Sequence, residues 1–389
     1  MNKCANGHIN PAENLYCATC GLQLDRSFIY KNENVYEIYK KGNTYHIKGE
    51  LEKAIIEFQK VIKIEPNFVE AYFDLGIIYE KKGLFDESIS MFQRVLQLNP
   101  TYIEAYFGLA NGYHRKGLFE QAISLYKVVL QMDENHYGAH NNLGVIYQFK
   151  GKVENAIVEY EKVLQINPKC SETYNNLGNL YYSRGDLKRA ILYYQKALEF
   201  DFEDPEIHYN LGNSYYNNGD FEDAIIELKK AIELRPSYDL AHNNLGLVYE
   251  KQGKIKEAIE QYKLALKYNP KLYISYNNLG LIFFNQGEIN RALEFFRRSI
   301  EINQYNANTN IYIGLVYYSL KQYNNSLMYF EKAHFLDPEN ADIHFYLGVI
   351  YNDLGLRDKT VEEFKKYLEK CDSSYYREKI VEWLNEIQP

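Results

Sequence analysis

The chain is poor in several things at once. Across 389 residues it has one Trp, four Met, five Cys and nine Pro, and its formal net charge is only −8. Cys170 and Cys371 stand alone, and Cys4, Cys17 and Cys20 crowd into the first stretch of the chain, so no disulfide framework spans it. Charge of neither sign collects into blocks: no basic stripe follows a phosphate backbone, and no polyacidic tail is present. No apolar run approaches the ~18–20 residues a membrane helix needs, so membrane insertion is not expected. The start, Met1-Asn2-Lys3-Cys4, lacks the basic-then-apolar signature of a secretory signal, and a cytoplasmic, reducing location is the expectation. There is no His-Glu-x-x-His, no phosphate-loop glycine pattern and no serine nucleophile turn, so an enzyme is not expected.

What the chain does have is aromatic and periodic. It carries 39 Tyr and 20 Phe, which suit thin layered structures because a tyrosine ring can pack while its hydroxyl stays wet. Units of 34 residues starting at 35, 69, 103, 137, 171, 205, 239, 273, 307 and 341 align without an insertion, making ten repeats. The eighth position is Gly in nine of them, from Gly42 to Gly348, with Ala110 in the third. The fifteenth is Gly in nine, from Gly49 to Gly355, with Lys321 in the ninth. These two columns hold 18 of the 23 glycines, which chance does not do. A mid-helix Gly is unfavourable by about 1 kcal/mol against Ala, so its recurrence predicts close helix–helix approach. The fifteenth-position Gly predicts a C-terminal helix cap. A small residue at position 20 (Ala54, Ser88, Ala122), a large one at position 24 (Phe58, Phe92, Tyr126) and Pro at position 32 (Pro66, Pro100, Pro168) mark a second helix and its end. Each unit is predicted to be a helical hairpin that buries its apolar face only by stacking on its neighbours.

The columns Leu-Gly, Tyr, Gly, Ala, Phe/Tyr and Pro at these offsets resemble the tetratricopeptide repeat (TPR) family, from about Val35 to about Ser374. The resemblance implies an all-α fold, a right-handed superhelical solenoid of ten TPR hairpins over 35–374. Lys41 and Lys321 depart from the family's Leu and Gly, and Phe202 stands in a Pro slot with Pro205 supplying the break. Tyr376, Ile380, Trp383, Leu384 and Ile387 predict a capping helix over 375–389, since an open solenoid end exposes its core.

Residues 1–30, with a linker to 34, read as a separate module. Cys4-Ala-Asn-Gly-His8 and Cys17-Ala-Thr-Cys20 give two donor pairs with glycines that permit tight knuckles, the donor set a tetrahedral zinc ion requires. The segment resembles a short zinc ribbon whose first knuckle is Cys-x3-His, and zinc would supply its folding energy. The competing reading makes Cys17 and Cys20 a redox pair with Cys4 and His8 incidental; no thioredoxin-like pattern surrounds them. With all four positions filled by protein the site would be structural. Lys3 and Arg26 against Glu13 and Asp25 leave the module neutral, a poor phosphate binder.

In the TPR family the first helix of each hairpin lines a groove, through positions 2, 5, 6, 9, 12 and 13. Position 6 reads Asn142, Asn176, Asn210, Asn244 and Asn278 in five consecutive repeats, and Asn141, Asn175, Asn243 and Asn277 precede four of them. Asn is a mediocre helix former, and its carboxamide both donates and accepts, so the ladder points to pairing with the backbone of an extended peptide. It resembles the asparagine-lined groove of the TPR region of O-linked N-acetylglucosamine transferases. Tyr39, Phe73 and Phe107 at position 5, and Ile311, Phe345, Tyr312 and Tyr346 at the far end, make the flanks apolar. The carboxylate clamp of chaperone-tail receptors is matched only by Asn43. The histidines His140, His208, His242 and His344 fall at position 4, where the family has a packing aromatic. The expected function is a protein-interaction scaffold that binds an extended client segment, with a factor contacting RNA or DNA through the zinc module as the alternative.

Overall fold

A computed structural model of the protein describes residues 2–3, 9–10, 26–371 and 375–387. The chain divides into two compact units, Met1–Leu180 and Tyr181–Pro389. The first holds strands β1 (Asn2–Lys3) and β2 (Ile9–Asn10), helices α1 (Arg26–Ile47), α2 (Leu51–Ile64), α3 (Val69–Lys81), α4 (Phe85–Leu98), α5 (Ile103–Arg115), α6 (Phe119–Met132), α7 (Tyr137–Phe149) and α8 (Val153–Ile166), and most of α9 (Ser171–Ser183). The second holds α10 (Leu187–Phe200), α11 (Pro205–Asn218), α12 (Phe221–Leu234), α13 (Asp239–Lys251), α14 (Ile255–Tyr268), α15 (Tyr273–Asn285), α16 (Ile289–Ile302), α17 (Ala307–Ser319), α18 (Tyr323–Leu336), α19 (Ala341–Asp353), α20 (Arg357–Lys370) and α21 (Tyr375–Ile387). Odd-numbered helices up to α19 are the first, or A, helices of the repeats, and even-numbered ones the second, or B, helices.

The short strands pair antiparallel, Asn2 opposite Asn10 and Lys3 opposite Ile9. The expected metal ligands Cys4, His8, Cys17 and Cys20 lie outside the described residues. The stretch expected to end the module and link it to the repeats is helical instead: α1 begins at Arg26. Arg26–Asn34 contains neither Gly nor Pro, so nothing in it stops the first A-helix from extending backward.

The physics of one hairpin explains the rest. At the eighth position the ring of position 24 lies directly against the A-helix backbone. A Cβ built on Gly280 would stand 2.5 Å from Phe296 Cε1, and one on Gly144 2.5 Å from Tyr160 Cε1, so only hydrogen fits. The rings so covered, among them Phe58, Phe92, Tyr160, Tyr262 and Phe296, are fully buried, each a burial that stabilises by roughly 1.5–3 kcal/mol. The small residue at position 20 lies across the same contact; where it is Ser, its hydroxyl donates to the Gly carbonyl, Ser88 to Gly76 O (2.9 Å) and Ser326 to Gly314 O (2.8 Å).

The fifteenth position ends the A-helix. Gly83 takes φ +73°, and the turn closes with Gly83 N–H donating to Glu80 O (2.9 Å) and Leu84 N–H to Tyr79 O (2.9 Å), the paired bonds of a Schellman cap. Lys321 adopts the same left-handed backbone, φ +58°, and makes the same two bonds. It is the one non-glycine residue with positive φ among the described residues. Where Phe202 replaces the family's Pro, Pro205 opens α11 and the Asp204 side chain accepts from Glu206 N–H (2.7 Å) to cap it.

Within each unit adjacent A-helices touch, α3 with α5, α11 with α13 and α15 with α17, so the A-helices form the tighter layer. Helix α21 closes the last repeat: Ile380 and Leu384 are buried, Trp383 meets Phe364 edge-on at 5.3 Å, and Tyr376 packs on Phe345 at 4.5 Å. Among the described residues no helix is long and apolar enough to cross a membrane.

Candidate functional site

The asparagine columns sit on the A-helices, and the two columns do different things. Position 5 points into the joint between successive repeats. In the first unit Asn141 is buried; its Nδ2 donates to Glu172 (3.1 Å), and its Oδ1 accepts from the Thr173 hydroxyl (3.4 Å) and from Asn176 Nδ2 (3.5 Å). In the second unit Asn243, 1% exposed, donates to Asn244 Oδ1 (2.9 Å) and accepts from Ser275 Oγ (2.8 Å) and Asn278 Nδ2 (3.1 Å). Asn277 exchanges hydrogen bonds with Thr309 (3.0 and 3.2 Å). The partners recur by position: residue 3 and residue 6 of the following repeat. These side chains therefore staple repeat to repeat.

Position 6 is only partly buried. Asn142 gives its two N–H donors to Asn111 Oδ1 (2.9 Å) and Tyr126 Oη (3.1 Å), and Asn244 gives its own to Tyr209 Oη (3.2 Å) and Asn213 Oδ1 (2.6 Å). With Nδ2 of Asn142, Asn176, Asn244 and Asn278 anchored to protein acceptors, each amide is held in one orientation, and its oxygen is the atom left with capacity to accept. Asn175 and Asn210 are half-buried and engaged with neighbours as well.

The aromatic flank uses position 5 for the same joint. Tyr39 packs on Phe68 (4.9 Å between ring centroids), Phe73 stacks on Tyr102 (5.0 Å), Phe107 meets His136 (4.6 Å), and Tyr209 meets Tyr238 (5.0 Å). At the far end Tyr346 stacks on Phe330 (5.1 Å) and Phe345 is covered by Tyr376. The flanking rings are thus committed to packing between neighbouring elements.

The fourth-position histidines are more than fillers. His140, His208 and His344 each place Nδ1 against a glutamate at position 23 of their own hairpin, Glu159 (2.5 Å), Glu227 (2.6 Å) and Glu363 (2.6 Å). His140 and His208 also place Nε2 against the carbonyl at position 32 of the repeat before, Glu134 O and Phe202 O, both at 3.0 Å. Burial pushes His208 down, but the Glu227 carboxylate and the Phe202 carbonyl outweigh it and hold its pKa above the ordinary value. On the same A-helix face of the first unit, burial raises the Asp74 carboxyl against the pull of the Tyr39 hydroxyl (2.7 Å), and burial likewise raises Glu80.

The sequence columns alone did not single out Thr173, Ser275 and Thr309, or Asn111 and Asn213, which complete these networks. The signal was a correlation between columns: Asn at position 5 is followed by Thr or Ser at position 3 of the next repeat in three of four cases, Ile207 being the exception. Among the described residues no group of three or more His, Cys, Asp and Glu side chains is placed to hold a metal.

A stacked array of helical hairpins with polar and aromatic joints is a repeat scaffold, and the sequence assigns it to a family. A model described as TPR repeat matches residues 42–83, 149–183, 178–219, 212–253, 251–287 and 314–355, more than half of the chain. Models described as tetratricopeptide repeat match 67–135 and 273–306. The chain belongs to the tetratricopeptide repeat family.

Among solved structures, yeast Tom70 superposes with a TM-score of 0.52 at 12% identity, covering 92% of this chain and 96% of that one, a likeness of fold alone. MamA is 31% identical over 42% of this chain and 95% of its own, with a TM-score of 0.39. YrrB, described as a TPR protein with an unusual peptide-binding site, is 23% identical over 47% of this chain and 95% of its own, with a TM-score of 0.41. No curated protein matches the sequence.

Proposed function

We propose that the chain is a protein-interaction scaffold that receives extended segments of client proteins along the A-helix face of each unit. The observation that carries this reading is the anchored position-6 amide. In Asn142, Asn176, Asn244 and Asn278 the nitrogen is tied to the protein while the side chain stays partly exposed, so a fixed oxygen is offered to a passing backbone N–H, the Asn244 oxygen through the lone pair that Asn243 leaves it. Such acceptors read main chain rather than side chain, which suits a scaffold tolerant of client sequence. Of the nine asparagines expected to bind peptide, Asn141, Asn243 and Asn277 are assigned instead to the joints, where their bonds to the next repeat occupy them.

The test is cross-linking capture of clients by wild type and by a variant with Asn142, Asn176, Asn244 and Asn278 each changed to Ala, with circular dichroism verifying that the variant is folded. Loss of most captured segments is expected. An unchanged set of captured segments from a folded variant would overturn the reading.

We further propose that Cys4, His8, Cys17 and Cys20 hold one zinc ion in a closed, structural site. The donor set supports it, and so does the pairing of Lys3 with Ile9, the sequence neighbours of Cys4 and His8. Metal analysis of the purified protein should find one zinc per chain, lost in Cys17→Ser; no metal in wild type would end the proposal.

A further inference from the structure

Position 4 carries a ring in eight of the ten repeats: Tyr72, Tyr106, His140, Tyr174, His208, His242, Tyr276 and His344. Several of these rings reach back to the main-chain carbonyl six residues earlier. Tyr72 donates to Pro66 O (3.2 Å), Tyr174 to Pro168 O (3.2 Å), and His242 Nε2 lies 3.0 Å from Pro236 O. In the ninth repeat the residue is Asn310. Its Nδ2 donates to Asn306 O (3.0 Å), one helical turn back. A carbonyl can only accept, which fixes the amide orientation and leaves Oδ1 as the remaining atom. Asn310 is 1% exposed, and its Oδ1 has no hydrogen-bond partner.

Beside Asn310, among α16, α17 and α18, lies a cleft of about 660 Å³, in the size range of ligand pockets, walled by Ile300, Tyr305, Met328, Phe335 and Leu336 with Gln304 at its edge. Phe335 and Tyr305 are 86% and 74% exposed, far more than large apolar rings usually are. Glu331 and Lys332 on the wall carry opposite charges, so the cleft favours no ion. The corresponding cleft before the fourth repeat, about 600 Å³, shares an aliphatic wall, Leu130 and Ile166 for Ile300 and Leu336, but has Asn135 and Gln165 where Tyr305 and Phe335 stand. Both His140 nitrogens there are engaged, by Glu159 and by Glu134 O. The apolar wall and the orphaned acceptor thus coincide at the ninth repeat.

We propose that this cleft recognises a tryptophan or tyrosine side chain of a partner protein, its ring filling the slot and its N–H or O–H donating to Asn310 Oδ1. The chemistry is complementary: a buried acceptor needs a donor, and the apolar wall needs a ring. Position 4 supplies a ring from the chain itself in eight repeats, and in the ninth it does not. The chain's single Trp383 is packed against Phe364 and does not supply it. A polypeptide, unlike a lone ring, also covers Phe335 and Tyr305 beyond the slot. Aromatic anchors of this kind dominate protein interfaces.

The test uses the full chain with carbon-13-labelled methionine methyls. Met328 is one of four methionines and lines the cleft, and Met328→Leu assigns its signal. The probes are a blocked Ala-Ala-Trp-Ala-Ala peptide, the same peptide with Phe or ring-N-methylated Trp at its centre, and free indole. A saturable shift of the Met328 methyl by the Trp peptide is expected, with binding of the Phe and N-methyl peptides weaker by about fivefold to tenfold, the factor one hydrogen bond supplies. Asn310→Tyr restores the ring of the sister repeats and should abolish the shift in a folded protein. If that variant does not fold, Asn310→Val should erase the difference between the Trp and N-methyl peptides. No Met328 shift, equal affinity for the Trp and Phe peptides, or free indole binding as tightly as the peptide would each overturn the proposal. Each of these outcomes is separate from client capture on the A-helix face.

Discussion

Seven of the nine joints between repeats fall into two kinds. Before the second, third, fourth and seventh repeats a ring at position 5 packs on a ring at position 34: Tyr39 on Phe68, Phe73 on Tyr102, Phe107 on His136 and Tyr209 on Tyr238. Before the fifth, eighth and ninth, position 5 is Asn, and a Thr or Ser hydroxyl of the next repeat replaces the ring contact. The backbone of the hairpin is the same in both. The lesson is that one helical geometry accepts either an apolar or an amide seam, and that in these seven joints both halves of the seam change together. An amide facing a ring would leave buried polar atoms unpaired, which is unfavourable by about 1–3 kcal/mol.

The seams can be broken separately. The largest effect is expected from Asn243→Leu, which strips partners from the buried Ser275 hydroxyl and from Asn278 at once; a loss of about 2–4 kcal/mol is predicted. Because repeat arrays open locally, hydrogen exchange of α13 and α15 is the measurement, and unchanged protection there would refute the staple. Phe73→Ala opens an aromatic seam by removing a half-buried ring from Phe92 and Tyr102, with an expected loss of about 2 kcal/mol read from α3 and α5.

Thr309→Val leaves the Asn277 amide short of its partner and should cost about 1–2 kcal/mol in urea unfolding. Adding Asn277→Leu converts both halves of that seam to apolar groups. The double variant is expected to recover most of the loss; a purely additive double loss would show that the two halves do not act as one.

Outside the seams, Lys321→Gly should stabilise the ninth repeat by about 1 kcal/mol, since glycine enters the left-handed region without a Cβ penalty. Thermal melting of the variant beside wild type decides it, and a lower melting point would contradict the account of the turn. The smallest effect concerns pH. His208 is raised in the folded chain, so its contribution is fully present below the unfolded value of about 6.5 and is lost as pH rises through the folded value. Wild type should therefore lose slightly more stability than His208→Gln as pH rises above about 6.5; identical pH profiles would show that the contact with Glu227 contributes nothing.

Much of this was legible before any coordinates. Gly columns, the ring at position 24 and the Pro slots announce the hairpins because each serves a contact inside one repeat, where spacing is fixed. The asparagine ladder was visible too, but its role was not, since whether a side chain faces outward or into the neighbouring repeat depends on helix rotation. Asn141 and Asn142 are adjacent in sequence, yet the first is buried in a seam and the second is partly exposed. The position-4 histidines were readable as packing, while their glutamate partners 19 residues on became apparent only once the hairpin was closed. The cleft at Asn310 is not legible in the sequence for a plainer reason: one small residue in a column of rings looks like tolerance.

The two seam chemistries also give the units addresses. Ten segments of equal length and similar shape could dock out of order while the chain is still folding, or onto the same segment of another molecule, the characteristic misassembly of repeat proteins. An A-helix capped by Phe68 or Tyr102 brings a ring to a ring of the A-helix before it, whereas one carrying Thr173, Ser275 or Thr309 brings a hydroxyl to an amide. Exchanging a unit of one kind for a unit of the other would bury amides against rings. The seams thereby narrow which neighbours fit, and a chain whose seams were all made alike would be expected to keep its hairpins and lose that discrimination.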